Sequence, residues 1–461
     1  MSNLTKFYFA AVLWLTSYSI LLAATAVTHN GITWKFDRDY NVGQYITGDY
    51  YVVDPGTGVK IVSVTPGPSS GRNGSMVNPT SSTAQGFDDR ISYYSAGTTV
   101  TFPVTLSAAS GIKSLISTES YVSAEAFTPT WSRKLVSSTH ARLLHAGVLT
   151  IVPSAPSQKS FRPPLFGTKK PTYSVSMLNL SRLPRIPAPG DVPNSSFYER
   201  GLRRPWLQFL KDWTCRAMHP LENMLNYHED IGQFLSDASC ILVTDKFSDD
   251  LLYFYVQQGI DSYHTFDAVD GDSACFRMPV IFAGVLLGNA EMRDFWLDGR
   301  NNTAPRDAEK FYYWNERKST VSSKLVPAGQ TWTGAKVFFR KQVGNTEHEH
   351  LHPSEWGQVE NGGGKKQEDY RHCCDSIPHV GMAVAAKILG MTREWNNPAL
   401  FDYVDRWMTE PFAAQYESVV EKHWGSLSGS AQEAGSAFIR DLWRGYLLTI
   451  PESPTDAAIL P

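Results

Sequence analysis

Along the chain the apolar positions change rhythm twice. A short polar start carrying Lys6 is followed by an almost unbroken apolar run, Phe7 to Ala23, and then by the small residues Ala24-Thr25-Ala26. That order predicts a cleavable export signal over residues 1–26. The run is only about 17 residues long and is interrupted by Thr16, Ser17 and Ser19, which is short for a membrane span. From Val27 to Pro156 the apolar residues fall in short segments rich in Val, Ile, Thr and Tyr, such as Gln44–Asp54, Val59–Thr65, Thr98–Leu106, Ser114–Val122 and Gly147–Pro153. Clusters of Gly, Pro and Ser separate them, and His29-Asn30-Gly31 carries the Asn-Gly signal of a tight hairpin. Residues 27–156 therefore read as an antiparallel β-sandwich-like domain.

Residues 157–198 lack a clear period but hold Phe161, Phe166, Tyr173, Met177 and Leu180, and so predict an ordered linker that wraps one part onto the other. After Asn194 the spacing becomes helical. Trp206, Phe209, Leu210, Trp213 and Ala217 share one helical face, as do Ile231, Phe234, Leu235 and Ala238. A third helix carries Leu252, Tyr255, Val256, Gly259 and Tyr263 behind the cap Ser248-Asp249-Asp250. Pro279–Leu287, Ala290–Leu297, His379–Leu389, Pro398–Met408, Pro411–Lys422 and Ala431–Leu448 follow. So many helices exceed one four-helix bundle and predict antiparallel pairs set in a ring or arc over residues 199–461. A strand-and-loop insertion at about 310–370, including Ala335–Phe339, interrupts them.

Length and composition change this picture only modestly. The 461 residues exceed one ordinary core, which agrees with two domains. A net charge of −3 and 19% charged residues give no reason to expect nucleic acid as a partner. The 13 Trp and 21 Tyr suit either a large core or a sugar-binding cleft, because pyranose C–H faces stack on flat aromatic rings. Cys215, Cys240, Cys275, Cys373 and Cys374 allow at most two intrachain disulfides and leave one thiol over. Glycosylation sequons begin at Asn73, Asn179, Asn194 and Asn301.

Three clusters carry candidate chemistry. The first, His219-Pro220-Leu221-Glu222-Asn223-Met224-Leu225-Asn226-Tyr227, lies at a corner between helices, with His219, Asn223 and Tyr227 spaced by four. An imidazole, an amide and a phenol together can bind a carboxylate and move a proton; equally, they can stitch the corner by hydrogen bonds. The second, Glu347-His348-Glu349-His350-Leu351-His352-Pro353-Ser354-Glu355-Trp356, alternates three histidines. On a strand all three would share a face, yet same-face residues stand about 6.5–7 Å apart, so a Zn²⁺ site at His348, His350 and His352 is less favoured than a purely structural loop or metal-free substrate binding and proton transfer. No cofactor is expected. In the third, Glu368-Asp369-Tyr370-Arg371-His372-Cys373-Cys374, Tyr370 and Arg371 could pair a proton carrier with a guanidinium aimed at a substrate acid, or Arg371 could be salt-bridged within the fold. GxSxG, Walker, GxGxxG and HExxH motifs are absent.

These three segments, with Pro279-Val280-Ile281-Phe282-Ala283-Gly284 and the closing Phe438-Ile439-Arg440-Asp441-Leu442-Trp443, resemble secreted polysaccharide lyases with an (α/α) toroid catalytic domain, of the alginate or glucuronan lyase type. The resemblance runs through most of residues 140–448. It implies β-elimination on a uronic-acid polymer; separately, a monomer is expected. Asn223, helped by Arg371, would neutralise the carboxylate, His350 or Tyr227 would remove the C5 proton, and Tyr370 would protonate the leaving oxygen. His219, Glu222, His264, His352 and Trp356 would contact substrate. The chain departs from the pattern before Pro279, where Asp267–Arg277 holds no histidine and His264 is the nearest imidazole. A glycoside hydrolase using acids such as Glu222, Asp267, Asp270 or Glu349 is one rival reading. A diverged protein that binds glycans without cleaving them is the other.

Overall fold

The computed structural model describes residues 22–121, 143–211, 218, 228–265, 273–297, 310–314, 317–318, 325–326, 331–340, 347–358, 368, 371, 376–409, 412–425 and 435–446. Asn30 and Gly31, at φ 48° and 79°, form the two-residue turn expected from Asn-Gly. The turn joins β1 (Leu22–His29) to β2 (Ile32–Gln44), with His29 opposite Ile32. β2 alternates as a half-buried strand should, turning Ile32, Trp34, Phe36, Tyr40 and Val42 inward. β3 (Tyr50–Val53), β4 (Val59–Thr65), β5 (Ser75–Val77), β6 (Val104–Leu106), β7 (Lys113–Ser120) and β8 (Leu143–Val152) complete one eight-stranded sheet. Its order is β5-β7-β8-β3-β2-β4-β6, with β1 paired to β2 off that path. Within this sheet β3 and β8 run parallel, and the other described strand pairs are antiparallel.

The sheet curls around one core, in which Val27, Trp34, Phe36, Val52, Ile61, Leu115, Leu149 and Ile151 meet. The other face of β7 and β8 is buried too. There Ile116, Ala146 and Val148 pack on Phe87, Ile91, Leu165, Phe166, Leu207, Phe209 and Leu210. Among the described residues the second layer over these strands is thus made of loop segments rather than of a second sheet. Each large apolar side chain removed from water in this way stabilises the fold by about 1.5–3 kcal/mol before entropy is counted.

β1 begins ahead of the expected cleavage point. The side chains from Leu22 to Ala26 are exposed or half-exposed, and Val27 is the first that is buried.

The segment expected to link the two parts is an integral layer. Phe161, Tyr173, Leu178 and Leu183 pack into the main helical core, and Arg162 forms a buried clasp between sheet and helices. Helix α1 runs Ser195–Leu202, capped by the Asn194 side chain, and stops before Pro205. The helix expected around Trp206, Phe209 and Leu210 is therefore corrected: those residues lie on non-helical chain, while Trp213 and Ala217 fall outside the described residues. Trp206 enters the helical core and Leu207, Phe209 and Leu210 enter the layer beneath the sheet, so two different cores together mimic a helical period.

Nine further helices are described; Thr392–Trp395 is not among the expected ones, the expected Ala290–Leu297 is helical only over Ala290–Arg293, and the others lie on the predicted periods. They are α2 (His228–Leu242), α3 (Asp249–Thr265), α4 (Arg277–Leu287), α5 (Ala290–Arg293), α6 (Ile377–Ile388), α7 (Thr392–Trp395), α8 (Pro398–Met408), α9 (Phe412–Trp424) and α10 (Ala437–Tyr446). The Ser248 hydroxyl accepts the Leu251 amide at 3.0 Å, which is the cap expected for α3. α2 packs on α6 and α3 on α4. A Cβ at Gly259 would lie 2.1 Å from the Pro279 carbonyl oxygen, so glycine there lets α3 and α4 approach. In the insertion, β9 (Phe311–Tyr313) pairs with β12 (Val337–Phe339), and β10 (Arg317–Lys318) pairs with β11 (Leu325–Val326). The buried Cys240 thiol is unpaired and donates to the Gly381 carbonyl at 3.2 Å. Among the described residues no helix is long and apolar enough to cross a membrane.

Candidate functional site

The insertion meets α8 and α9 through a knot of charge. His348, Glu349 and Glu368 are completely buried. The Glu368 carboxylate divides its two oxygens between different partners. Oε1 accepts from Arg371, from Nε at 2.6 Å and from Nη2. Oε2 accepts from the His348 ring at 3.0 Å and from the Tyr416 hydroxyl at 2.9 Å. Because a carboxylate can only accept, His348 carries its proton on Nε2. Its Nδ1 is left as a buried acceptor with no hydrogen bond among the described residues.

Glu349 is held just as firmly. It accepts the Phe339 amide at 2.7 Å, the Arg406 guanidinium and, at 3.4 Å, the Tyr403 hydroxyl. Tyr403 links the two halves, since Arg371 Nη1 donates to its oxygen at 3.2 Å. Flat cations lie over rings throughout. Arg371 stands 4.7 Å from the Trp407 centroid and 5.0 Å from that of Tyr416, and Arg406 stands 4.8 Å from that of Tyr403.

Burial opposes charge on Arg371, but Glu368, Tyr403, Tyr416 and Glu349 outweigh it and hold the guanidinium above its ordinary value. Burial first, then Glu368 and Glu349, pushes the Tyr416 phenol well up. Burial likewise raises Tyr403 against the opposing field of Arg371. Both phenols are therefore proton donors near neutrality. Among the described residues, two carboxylates face two guanidiniums in this knot.

The sequence-predicted residues are distributed around this knot. Arg371 and His348 join it directly through Glu368, and Trp356 lies edge-on to His348 at 5.0 Å. The Trp356 ring is wholly buried, and its Nε1–H donates to the His348 and Leu351 carbonyls at 2.9 and 3.0 Å, closing the turn. His350 is also buried, stacked flat on Trp314 with centroids 3.7 Å apart. His352 is half-buried on the outer side, accepting from the Ser354 hydroxyl at 2.7 Å and lying edge-on to Trp332 and His423.

The three histidines occupy a turn rather than a strand, and each faces a different partner. The shared face that metal binding required is absent there. Among the described residues no three His, Cys, Asp or Glu side chains are grouped to hold a metal ion.

His264 stands apart, at the last turn of α3 beside Tyr263. His219, Glu222, Asn223, Tyr227 and Tyr370 fall outside the described residues, as do the hydrolase candidates Asp267 and Asp270.

No family model, curated protein or solved structure matches the chain.

Sequence reasoning passed over Tyr403, Arg406, Trp407 and Tyr416. The first three are spaced i, i+3, i+4 on α8, a pattern that reads as ordinary helix packing. The one usable signal was an arginine within that buried stripe.

Proposed function

We propose that the chain is an exported carbohydrate-active protein, acting by β-elimination on a uronic-acid polymer. The reading takes the helical region as an (α/α) toroid-like arc with the substrate cleft at the insertion. The single observation that carries it is the meeting of the 347–356 and 368–371 segments. They are separate in sequence and are joined here through the His348–Glu368–Arg371 bonds beside His350. In this reading His350 or Tyr227 takes the C5 proton, and the electron pair left behind is delocalised into the carboxylate that Asn223 neutralises. That pair forms the C4–C5 double bond as the C4–O bond breaks and Tyr370 protonates the leaving oxygen. Arg371, spent on Glu368 and Tyr403, acts by holding the insertion in place.

Among the described residues, a cut between Ala26 and Val27 would remove only exposed or half-exposed side chains, together with the pairing of Leu22–Ala24 and Ala26 to β2. Intact mass of secreted protein starting at Val27 is the expected result. A second reading, binding without cleavage, is favoured by the pairing of Arg371 and Arg406 with Glu368 and Glu349, which engages both guanidiniums within the protein. Incubation with alginate and glucuronan, followed by ultraviolet absorbance of the unsaturated product, decides between them. Absorbance should rise with wild type and fall by about a hundredfold or more in His350→Ala. No rise from folded wild-type protein on any polyuronate sinks the lyase reading.

A further inference from the structure

A second group of charges lies away from the knot, where the 157–190 segment crosses the end of α3. Arg162 is buried there, with Nε 2.9 Å from Asp49 Oδ2 and Nη2 2.5 Å from Asp261 Oδ2. Asp261 also accepts the Leu165 amide at 3.2 Å, which fixes the crossing segment on the helix. The carbonyls of Pro164 and Leu165 then take the Lys170 ammonium at 2.6 and 3.1 Å. An ammonium has three donors, so among the described residues one is left over. The carboxylate whose field reaches Lys170 is Asp261, and it is already engaged by Arg162.

His264 follows Asp261 by three residues on α3, and so lies on the same helical face. Its buried Nε2 makes no hydrogen bond among the described residues. Lys169 is exposed, and both lysines act on the His264 ring. Half-buried Tyr263 and Phe295 stand beside it, with the Tyr263 ring 5.1 Å from His264 and 5.2 Å from Phe295.

Counted together below neutrality, where Lys170 is charged, Arg162, Lys169 and Lys170 oppose Asp49 and Asp261, a surplus of one cation next to two aromatic rings and an imidazole nitrogen with no hydrogen bond among the described residues. We propose that Lys169, Lys170 and His264 form a binding subsite for the carboxylate of an acidic sugar, whose apolar face packs on the Tyr263–Phe295 edge. The subsite rests on the carbohydrate reading but not on catalysis. Lys170 supplies its third donor to the carboxylate, Lys169 supplies a second cation from the rim, and His264 Nε2 pairs with a sugar hydroxyl.

Two features give the site a signature. Burial, then Arg162, lowers Lys170 to about 7 against the pull of Asp261. Burial, then Lys170 and Lys169, lowers His264 to about 4, so the imidazole is neutral at pH 7. A bound carboxylate stabilises charged Lys170, so binding above neutrality takes up a proton.

The test is calorimetric titration of the full chain with a glucuronate oligomer, a neutral glucose oligomer of equal length and a sulfated oligosaccharide. The uronate oligomer should bind with proton uptake at pH 8, read by comparing buffers of different ionisation heat, and the neutral one should not bind. Lys169→Ala with Lys170→Met should weaken uronate binding about tenfold or more. Lys170→Arg should keep the affinity and lose the proton uptake. If Lys170→Met does not fold, the exposed Lys169→Ala alone should still weaken binding severalfold. Equal affinity of the folded double variant, equal binding of the neutral oligomer, or stronger binding of the sulfated one overturns the assignment. Binding that is lysine-dependent without any unsaturated product sustains the subsite while removing the lyase reading. Cleavage with wild-type affinity in the lysine variants does the reverse.

Discussion

Two buried arginines, Arg162 and Arg371, answer the same problem differently. Arg371 sits among groups that cancel: Glu368 and Glu349 against Arg371 and Arg406, with Tyr403, Tyr416 and His348 completing the bonds. Every member comes from the insertion, α8 or α9, and the knot fastens these to one another. Arg162 joins more distant parts, Asp49 before β3 and Asp261 on α3, and its neighbourhood continues outward to Lys170 and Lys169. Among the described residues, the knot's charges are engaged with one another. A cluster whose surplus charge reaches the surface has a cation to offer a charged ligand.

The comparison breaks most sharply at Arg162. Arg162→Met leaves the carboxylates of Asp49 and Asp261 buried without their common cation, the costly way to disrupt an internal ion pair. Stability should fall by about 3–5 kcal/mol, measured by urea unfolding at pH 7. The loss should shrink in the triple variant Arg162→Met, Asp49→Asn, Asp261→Asn, because no unpaired charge then remains. A loss below about 1 kcal/mol in the single variant means that the clasp does not hold sheet to helices.

Arg371→Met should come next, at about 3 kcal/mol, since Glu368 keeps His348 and Tyr416 as donors. The variant separates structure from chemistry. A destabilised protein whose kcat on polyuronate is retained below its melting range confirms a holding role. Full stability with abolished turnover would place Arg371 on the substrate and erase the contrast with Arg162.

Much of this was legible in the sequence where a single core sets the pattern. α8 presses one face on the main helical core, so its period is clean, while α3 and α4 are buried nearly all round and are legible by their caps and apolar runs. The Asn30-Gly31 turn was legible because its backbone angles exclude most other residues. Legibility failed where a segment serves two cores. Trp206 turns one way and Leu207, Phe209 and Leu210 another, and their spacing imitates a helix. β8 is apolar on both faces because loops cover its outer side, and a run of that kind cannot announce whether loops or a second sheet do so. In the knot, the density of histidine drew notice to 348–352. The partners that explain it, Tyr403, Arg406 and Tyr416, are far along the chain and look like helix packing. The lysine cluster had no motif at all; Lys169 and Lys170 acquire meaning only because Asp261 brings the crossing segment onto α3.

A smaller effect should follow Tyr416→Phe. It removes one donor from Glu368 Oε2 while His348 remains, and hydrogen bonds to charged groups are worth about 1.5–3 kcal/mol. About 1.5 kcal/mol is the expected loss, since the ring keeps its packing against Trp332 and Trp356. Thermal unfolding of the variant beside Arg371→Met checks the order.

The gentlest test uses pH and leaves the knot untouched. Lys170 folds with its pKa lowered to about 7 from 10.5, so between those values the unfolded chain holds a proton that the folded chain has released. Unfolding then takes up protons, and stability contributed by this group rises with pH from about 7 to about 10. Below pH 7 the folded protein bears the cost of a charged Lys170 in full. His264, lowered to about 4 from 6.5, acts with the same sign in its own window: its contribution is complete above pH 6.5 and declines as pH falls toward 4. Lys170→Met should therefore flatten the rise between pH 7 and 10 while leaving the acid limb to His264. At pH 7 the variant should be at least as stable as wild type, because a half-buried ammonium with no carboxylate of its own has been removed. A bound glucuronate oligomer should flatten the same rise in wild type by supplying the missing anion. If the rise survives both changes, it does not originate at Lys170, and the surplus charge that distinguishes this cluster from the knot is already met within the protein.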